Sequence, residues 1–349
     1  MGIWIMPFLA SANSRVAREH PDWFVRDGAG DPVYVPGWSP PPNHNWQCLD
    51  ATHPEALDYM RHVFHRFREM GVTYFKLDGV GFSGQRGYRR DPEATGSSAF
   101  RDGLKAIREA AGDCRVRGCG GNYLAGLGVY DSVRVSCDTG VNYEPRGLPN
   151  LAADGPDGPQ RHPDPVLPGL ENAVRATWFN WWRFDAGYRC DPDVIIARDE
   201  NSNLTENEAR LSTLAALVTG VAFTSDKLDV CGPDRLMLLG LAARARMAGA
   251  RPAGVEPDGL LEVFTGTVGD APAVALFNFS SAPKRYPAEL WPEAAAGETL
   301  ADLLDPSLAA PDADGFAVGP HGGALLVPEA VARRLRDSVR DALRTEGAA

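Results

Sequence analysis

The stretch YFKLDG at 74–79 sets a lysine two residues before an aspartate. On a strand alternate residues share a face, so Tyr74, Lys76 and Asp78 point one way and Phe75 and Leu77 the other. The apolar pair faces covering helices, the ionic set faces an interior, and Asp78-Gly79 ends the strand. That is the C-terminal rim on which parallel barrels build active sites. SVRVSCD at 132–138 repeats the pattern, with Arg134, Ser136 and Asp138 opposite Val133, Val135 and Cys137. Either segment alone reads equally well as an ion pair serving the fold. Two inward carboxylates on different parallel strands, each with a cation on its face, meet the needs of acid/base or nucleophilic glycoside chemistry. Lys76 adds weight: of 35 basic residues only Lys76, Lys105, Lys227 and Lys284 are lysine, so a compact ammonium is selected over a planar fork.

A third segment, GYRCDPDVI, puts Asp191 and Asp193 just past another strand, which Pro192 stops. Acidic loop residues of this kind hydrogen-bond sugar hydroxyls, and Asp-Pro-Asp is also ordinary turn chemistry. Cys119, ending the strand-like CRVRGCGG, joins the substrate-binding candidates. Trp38 and Trp46 lie in a long Pro-rich loop and are candidates for stacking on a sugar face. Trp178, Trp181 and Trp182 have helical spacing and read as core. His62 and His65 read as solvated or core-facing rather than as a metal pair. GCGG at 118–121 lacks a following Lys-Ser/Thr and reads as a tight turn, and QRGYRRD at 85–91 as a solvated loop beside the site mouth.

The elements that must position these residues alternate. Helical patterns at 54–71, 98–111, 170–182 and 205–220, the last with a Thr205/Glu208 capping-box spacing, lead into strands. Counting the opening run GIWIMPF, the pattern predicts six strands in parallel βαβ units. A secretory signal fits that run poorly, because nothing basic precedes it. From about residue 258 short runs such as AVALFNFSS and GGALLVPE predict an antiparallel β-domain, and AVARRLRDSVRDALRTEGAA a charged, frayed tail helix. A net charge of -11 argues against nucleic acid or an anionic membrane as partner. Six scattered cysteines without CxxC spacing predict free thiols and a cytoplasmic protein.

GIWIMP, HPDWFVRD, LDATHPEALDYM, YFKLDG, RVSCD, CDPDV and TENEARLSTLAALVTG, in this order from residue 2 to about 248, resemble the melibiase-type α-galactosidases of glycoside hydrolase clan D, especially family 36. The resemblance implies an α/β fold: a (β/α)8 TIM-type barrel over 1–248, followed by a small antiparallel β-sandwich over 249–328 and a tail helix over 329–349. It implies a retaining hydrolysis of terminal α-galactosides, with Asp78 as nucleophile and Asp138 as acid/base. Lys76 and Arg134 then bind hydroxyls or orient a carboxylate, Trp4 lines the pocket, and Asp193 falls in the family's Asp-Pro-Asp element. Retention predicts carboxyl groups about 5–5.5 Å apart and a raised pKa for Asp138. The family's first two strands, the second ending in an Asp-Asp-Gly-Trp type motif, have no counterpart in the sequence. The opening run therefore matches the third strand, and the chain is expected to start late, through a misassigned start, a fragmented gene or a real truncation. The expected partner is an α-galactoside oligosaccharide or glycoconjugate, with no metal or organic cofactor, no nucleic acid and no membrane. The open edges of an incomplete barrel invite a homo-oligomer. Within the enzyme class, α-N-acetylgalactosaminidase and raffinose-synthase-type galactosyl transfer stay open. From another class the rival is a degenerate barrel that at most binds carbohydrate.

Overall fold

The computed structural model describes residues 1–36, 45–121, 123–147, 152–155, 158–161, 166–167, 169–184, 186–254, 261–295 and 297–346. The chain divides into two compact units, Met1–Arg134 with Asn150–Pro163, and Val135–Pro149 with Asp164–Ala349. The division falls inside SVRVSCD.

The first unit contains β1 (Gly2–Ile5), β2 (Leu9–Ser11), α1 (Arg15–Glu19), β3 (Tyr34–Pro36), β4 (Asn45–Cys48), α2 (Pro54–Glu69), β5 (Tyr74–Leu77), α3 (Gly96–Ala111), β6 (Arg115–Cys119) and β7 (Ser132–Arg134). Strands β1, β5, β6 and β7 pair in that order, all parallel. Phe75, Leu77 and Val116 are fully buried, and the Phe75 ring meets Phe64 of α2 at 4.8 Å. The sheet therefore turns its apolar face to the helices, as the alternation in YFKLDG requires. Pro54 starts α2, where its missing N–H costs nothing, and a reciprocal Thr95/Ser98 capping box starts α3. The Pro-rich stretch after residue 25 is more than a loop. β3 and β2 flank β4 in an antiparallel sheet whose Val35 and Cys48 pack with Val25.

Two short antiparallel pairs follow, β8 (Arg146–Gly147) with β11 (Val166–Leu167) in the second unit, and β9 (Ala152–Gly155) with β10 (Gly158–Arg161) in the first. The second unit continues with α4 (Leu170–Trp178), β12 (Arg189–Asp191), α5 (Glu206–Thr219) and α6 (Pro233–Arg244). The strand expected at 221–228 is reduced to one parallel bridge, Ile195 to Thr224. Its ladder stops because the Asp226 carboxylate accepts the Ala197 and Arg198 amides, at 2.7 and 3.1 Å. The capping box of α5 is present as expected, Glu208 receiving the Thr205 amide at 2.7 Å.

The antiparallel part begins inside the expected barrel segment, with β13 (Met247–Pro252), and runs on through β14 (Val263–Val268), β15 (Ala271–Phe277), β16 (Lys284–Tyr286), β17 (Leu300–Asp302), β18 (Phe316–Val318) and β19 (Gly323–Pro328). One sheet has the order β13-β14-β15-β19-β17, and β16 pairs with β18 in a second. Tyr286, Phe316 and Val318 of the small sheet share a core with Val274, Leu276 and Leu326 of the large one. Trp178 of α4 joins the large sheet edge-on to Phe277, ring centroids 4.3 Å apart. The tail helix α7 (Glu329–Glu346) is packed: Ala332 and Val339 are buried, and Arg336 donates to the Leu303 carbonyl at 3.0 Å.

Candidate active site

In the first unit four neighbouring parallel strands each send a polar side chain to the face opposite the helices. The register pairs Trp4 with Lys76, Lys76 with Arg117, and Cys119 with Arg134. Paired residues of parallel strands point to the same face, so Trp4, Lys76, Cys119 and Arg134 lie together, with Asp78 just past the end of β5. Gly79, in the left-handed region at φ 56°, turns the chain away immediately after Asp78. Its amide donates to Asp78 Oδ1 at 2.8 Å, the Trp4 indole Nε1 donates to Oδ2 at 2.9 Å, and Lys76 Nζ stands 3.9 Å from Oδ2.

Burial pushes the Asp78 carboxyl up, but the Trp4 indole, the Gly79 amide, the Cys119 thiol and the Lys76 charge together hold it below the ordinary carboxylate value. Burial also drives the Cys119 thiol up to about 12, against the pull of the Arg134 charge. Cys119 is thus a protonated donor to Asp78 and not a nucleophile. The result is an oriented, ionised carboxylate whose side chain keeps 25% of its surface open. Such a group can attack an electrophilic carbon or accept a hydroxyl, and it is a poor proton donor at neutral pH. Arg117 shares this face, is buried, and escaped the sequence reading. Its signal was the alternation Arg115, Arg117, Cys119, which gains meaning only through the register.

In the second unit Asp138 is half-buried, and the segment carrying it is tied at two points. The Val135 amide donates to the Asp191 carbonyl at 3.2 Å, and the Thr139 amide donates to Asp193 Oδ2 at 2.9 Å. Asp191 closes β12 instead of lying past it; it is fully buried, and its Oδ1 accepts the Asp193 amide at 2.8 Å. Asp193 is 8% exposed and left-handed, φ 79°. Cys137 is exposed, so the apolar face of this segment ends at Val135.

The tryptophans depart from expectation. Trp46 lies on β4, half-buried against the Val25, Val35 and Cys48 cluster, and not in a loop. Trp38 lies outside the described residues. Trp178 is core, whereas Trp182 is exposed beneath the Arg183 guanidinium, because α4 ends before it. His62 and His65 are exposed, and among the described residues no three metal-binding side chains cluster. Arg89 and Arg90 of the 85–91 loop bond back to the Gln85 carbonyl and to Asp50, so that loop is anchored. Among the described residues no helix is long and apolar enough to cross a membrane.

No protein-family model matches the chain. Among solved structures it is similar to the α-galactosidase of Thermus thermophilus in complex with p-nitrophenyl α-D-galactopyranoside. The identity is 28%, the TM-score is 0.59, and the match covers 78% of this chain and 50% of that one. The fold is that of the clan D α-galactosidases. A GH27 β-L-arabinopyranosidase from Geobacillus stearothermophilus matches over 93% of this chain and 73% of its own, with 15% identity and a TM-score of 0.63. Alpha-galactosidase I from Mortierella vinacea matches over 80% and 72%, with 14% identity and a TM-score of 0.52. The chain spans about half the length of the Thermus enzyme. Its structural neighbours are glycoside hydrolases, and the parallel sheet with C-terminal antiparallel sheets agrees with the clan D fold expected from the motif order.

Proposed function

We propose that the chain carries the catalytic carboxylates of a retaining α-galactosidase. Asp78 forms a bond to the anomeric carbon while the bond to the aglycone oxygen breaks, and that oxygen takes a proton from Asp138. Asp138 then removes a proton from water, whose oxygen displaces Asp78. The observation that carries this reading is the set of donors around Asp78, since a nucleophile must be ionised and aimed while the proton comes from elsewhere. The Thermus enzyme, seen with p-nitrophenyl α-galactoside and with stachyose, supports an α-galactoside as substrate. The reading includes a reducing compartment, in keeping with six unbridged cysteines. The test is turnover of an aryl α-galactoside by the chain and by Asp78→Asn, which keeps the shape and the acceptor for Gly79. Turnover by the chain and loss in the variant are expected; an Asp78→Asn protein as active as its parent would refute the assignment.

A further inference from the structure

The Asp-Pro-Asp turn is bonded to the main chain of another segment. Asp193 is almost completely buried, and its carboxylate accepts from the backbone of the segment that carries Asp138. Oδ2 receives the Thr139 amide at 2.9 Å, one residue after Asp138. The Asp191 carbonyl receives the Val135 amide three residues before it, at 3.2 Å. The turn itself is closed by the Asp193 amide on Asp191 Oδ1 at 2.8 Å. Asp193 pays for this with a left-handed backbone at φ 79°, a conformation that Asp tolerates better than most residues but that still costs energy. A strained, buried carboxylate reaching another segment's main chain is a device for fixing that segment. Charge-assisted bonds to a backbone amide are about twice as strong as neutral ones.

We propose that Asp193 is a positioning residue that fixes the direction of the Asp138 carboxyl by clamping the Thr139 amide. The inference rests on the reading of Asp138 as acid/base. Departure of a p-nitrophenolate needs little protonation, whereas departure of an alkyl or sugar alkoxide needs a well-placed acid. A clamp on the acid is therefore visible as a dependence on the leaving group, which a general loss of stability would not produce.

The informative variants are Asp193→Gly, which removes the carboxylate and relieves the backbone, and Asp193→Asn, which keeps an acceptor oxygen and tolerates the left-handed region. For Asp193→Gly we expect kcat/KM on methyl α-galactoside to fall about tenfold more than on p-nitrophenyl α-galactoside, a fraction of the 10²–10⁴ ascribed to a general acid. Asp193→Asn should stay near the parent on both, and Asp138→Ala should show the same leaving-group pattern more strongly. An equal loss on both substrates in Asp193→Gly, with the pattern intact in Asp138→Ala, overturns the positioning role and leaves the function standing. If Asp138→Ala lacks the pattern, the function fails, and hydrogen exchange at the Thr139 amide decides the clamp by itself. Exchange should be faster in Asp193→Gly than in the parent or in Asp193→Asn; an unchanged rate overturns the clamp.

Discussion

Replacing Trp4 with phenylalanine keeps an aromatic ring on β1 and removes the indole N–H that reaches Oδ2 at 2.9 Å. A hydrogen bond to a charged acceptor contributes about 1.5–3 kcal/mol. Trp4 is 53% exposed, so water replaces part of the lost donor and the lower end applies. At about 1.4 kcal/mol per pH unit, the Asp78 titration should move up by roughly one unit. The sign follows from the depressed value in the folded protein, which burial opposes and the Trp4, Gly79, Cys119 and Lys76 interactions outweigh. A carboxyl held below its unfolded value contributes stability above that value, and the contribution is lost as the pH falls through the folded one. Trp4→Phe should therefore cost about 1.4 kcal/mol at pH 7 and almost nothing once the pH lies below both values. Carbon NMR of labelled aspartate carboxyls, followed through the acid range in parent and variant, reads the midpoint without requiring turnover. An Asp78 midpoint that stays put or moves down would show that the indole does not hold the carboxylate.

Asp302 gives the opposite sign. Burial raises its pKa to about 7, against the Leu325 and Leu304 amides, both of which donate to Oδ1 at 3.0 Å. The folded state binds this proton more tightly than the unfolded one, so stability should be greatest below the unfolded value of 3.8 and decline as the pH rises to about 7. The decline is on the order of 4 kcal/mol. Asp302→Asn keeps the doubly accepting oxygen and should flatten that slope in melting curves recorded across the range; an unchanged slope would contradict it. Thiol labelling of the folded protein at pH 8 should modify exposed Cys137 and spare Cys119 and Cys48, both driven up to about 12 by burial. Labelling of Cys119 at the rate of Cys137 would refute its role as a protonated donor.

Local periodicity made the site strands readable. Phe75 and Leu77 against Lys76 and Asp78 is a two-residue alternation that only a strand between helices and an interior explains, and Thr205 with Glu208 marks the start of α5 without help from the rest of the chain. What was hidden depends on partners distant in sequence. Arg117 stands beside Lys76 because β6 pairs with β5 in one register, and nothing within CRVRGCGG states that register. Trp46 looked like a loop residue because prolines surround it, yet pairing with β2 and β3 makes a strand of its segment. The strand expected at 221–228 gave way to Asp226, whose carboxylate took the amides a ladder would have used. The bond from the Thr139 amide to Asp193 was equally hidden, because the two residues lie 54 positions apart.

The most direct measurement of the central claim is trapping with a 5-fluoro-α-galactosyl fluoride, followed by proteolysis and mass spectrometry of the labelled peptide. The ionised, oriented carboxylate at the end of β5 predicts a galactosyl ester on Asp78. An ester on Asp138, or none on a protein that turns over aryl α-galactosides, would contradict it.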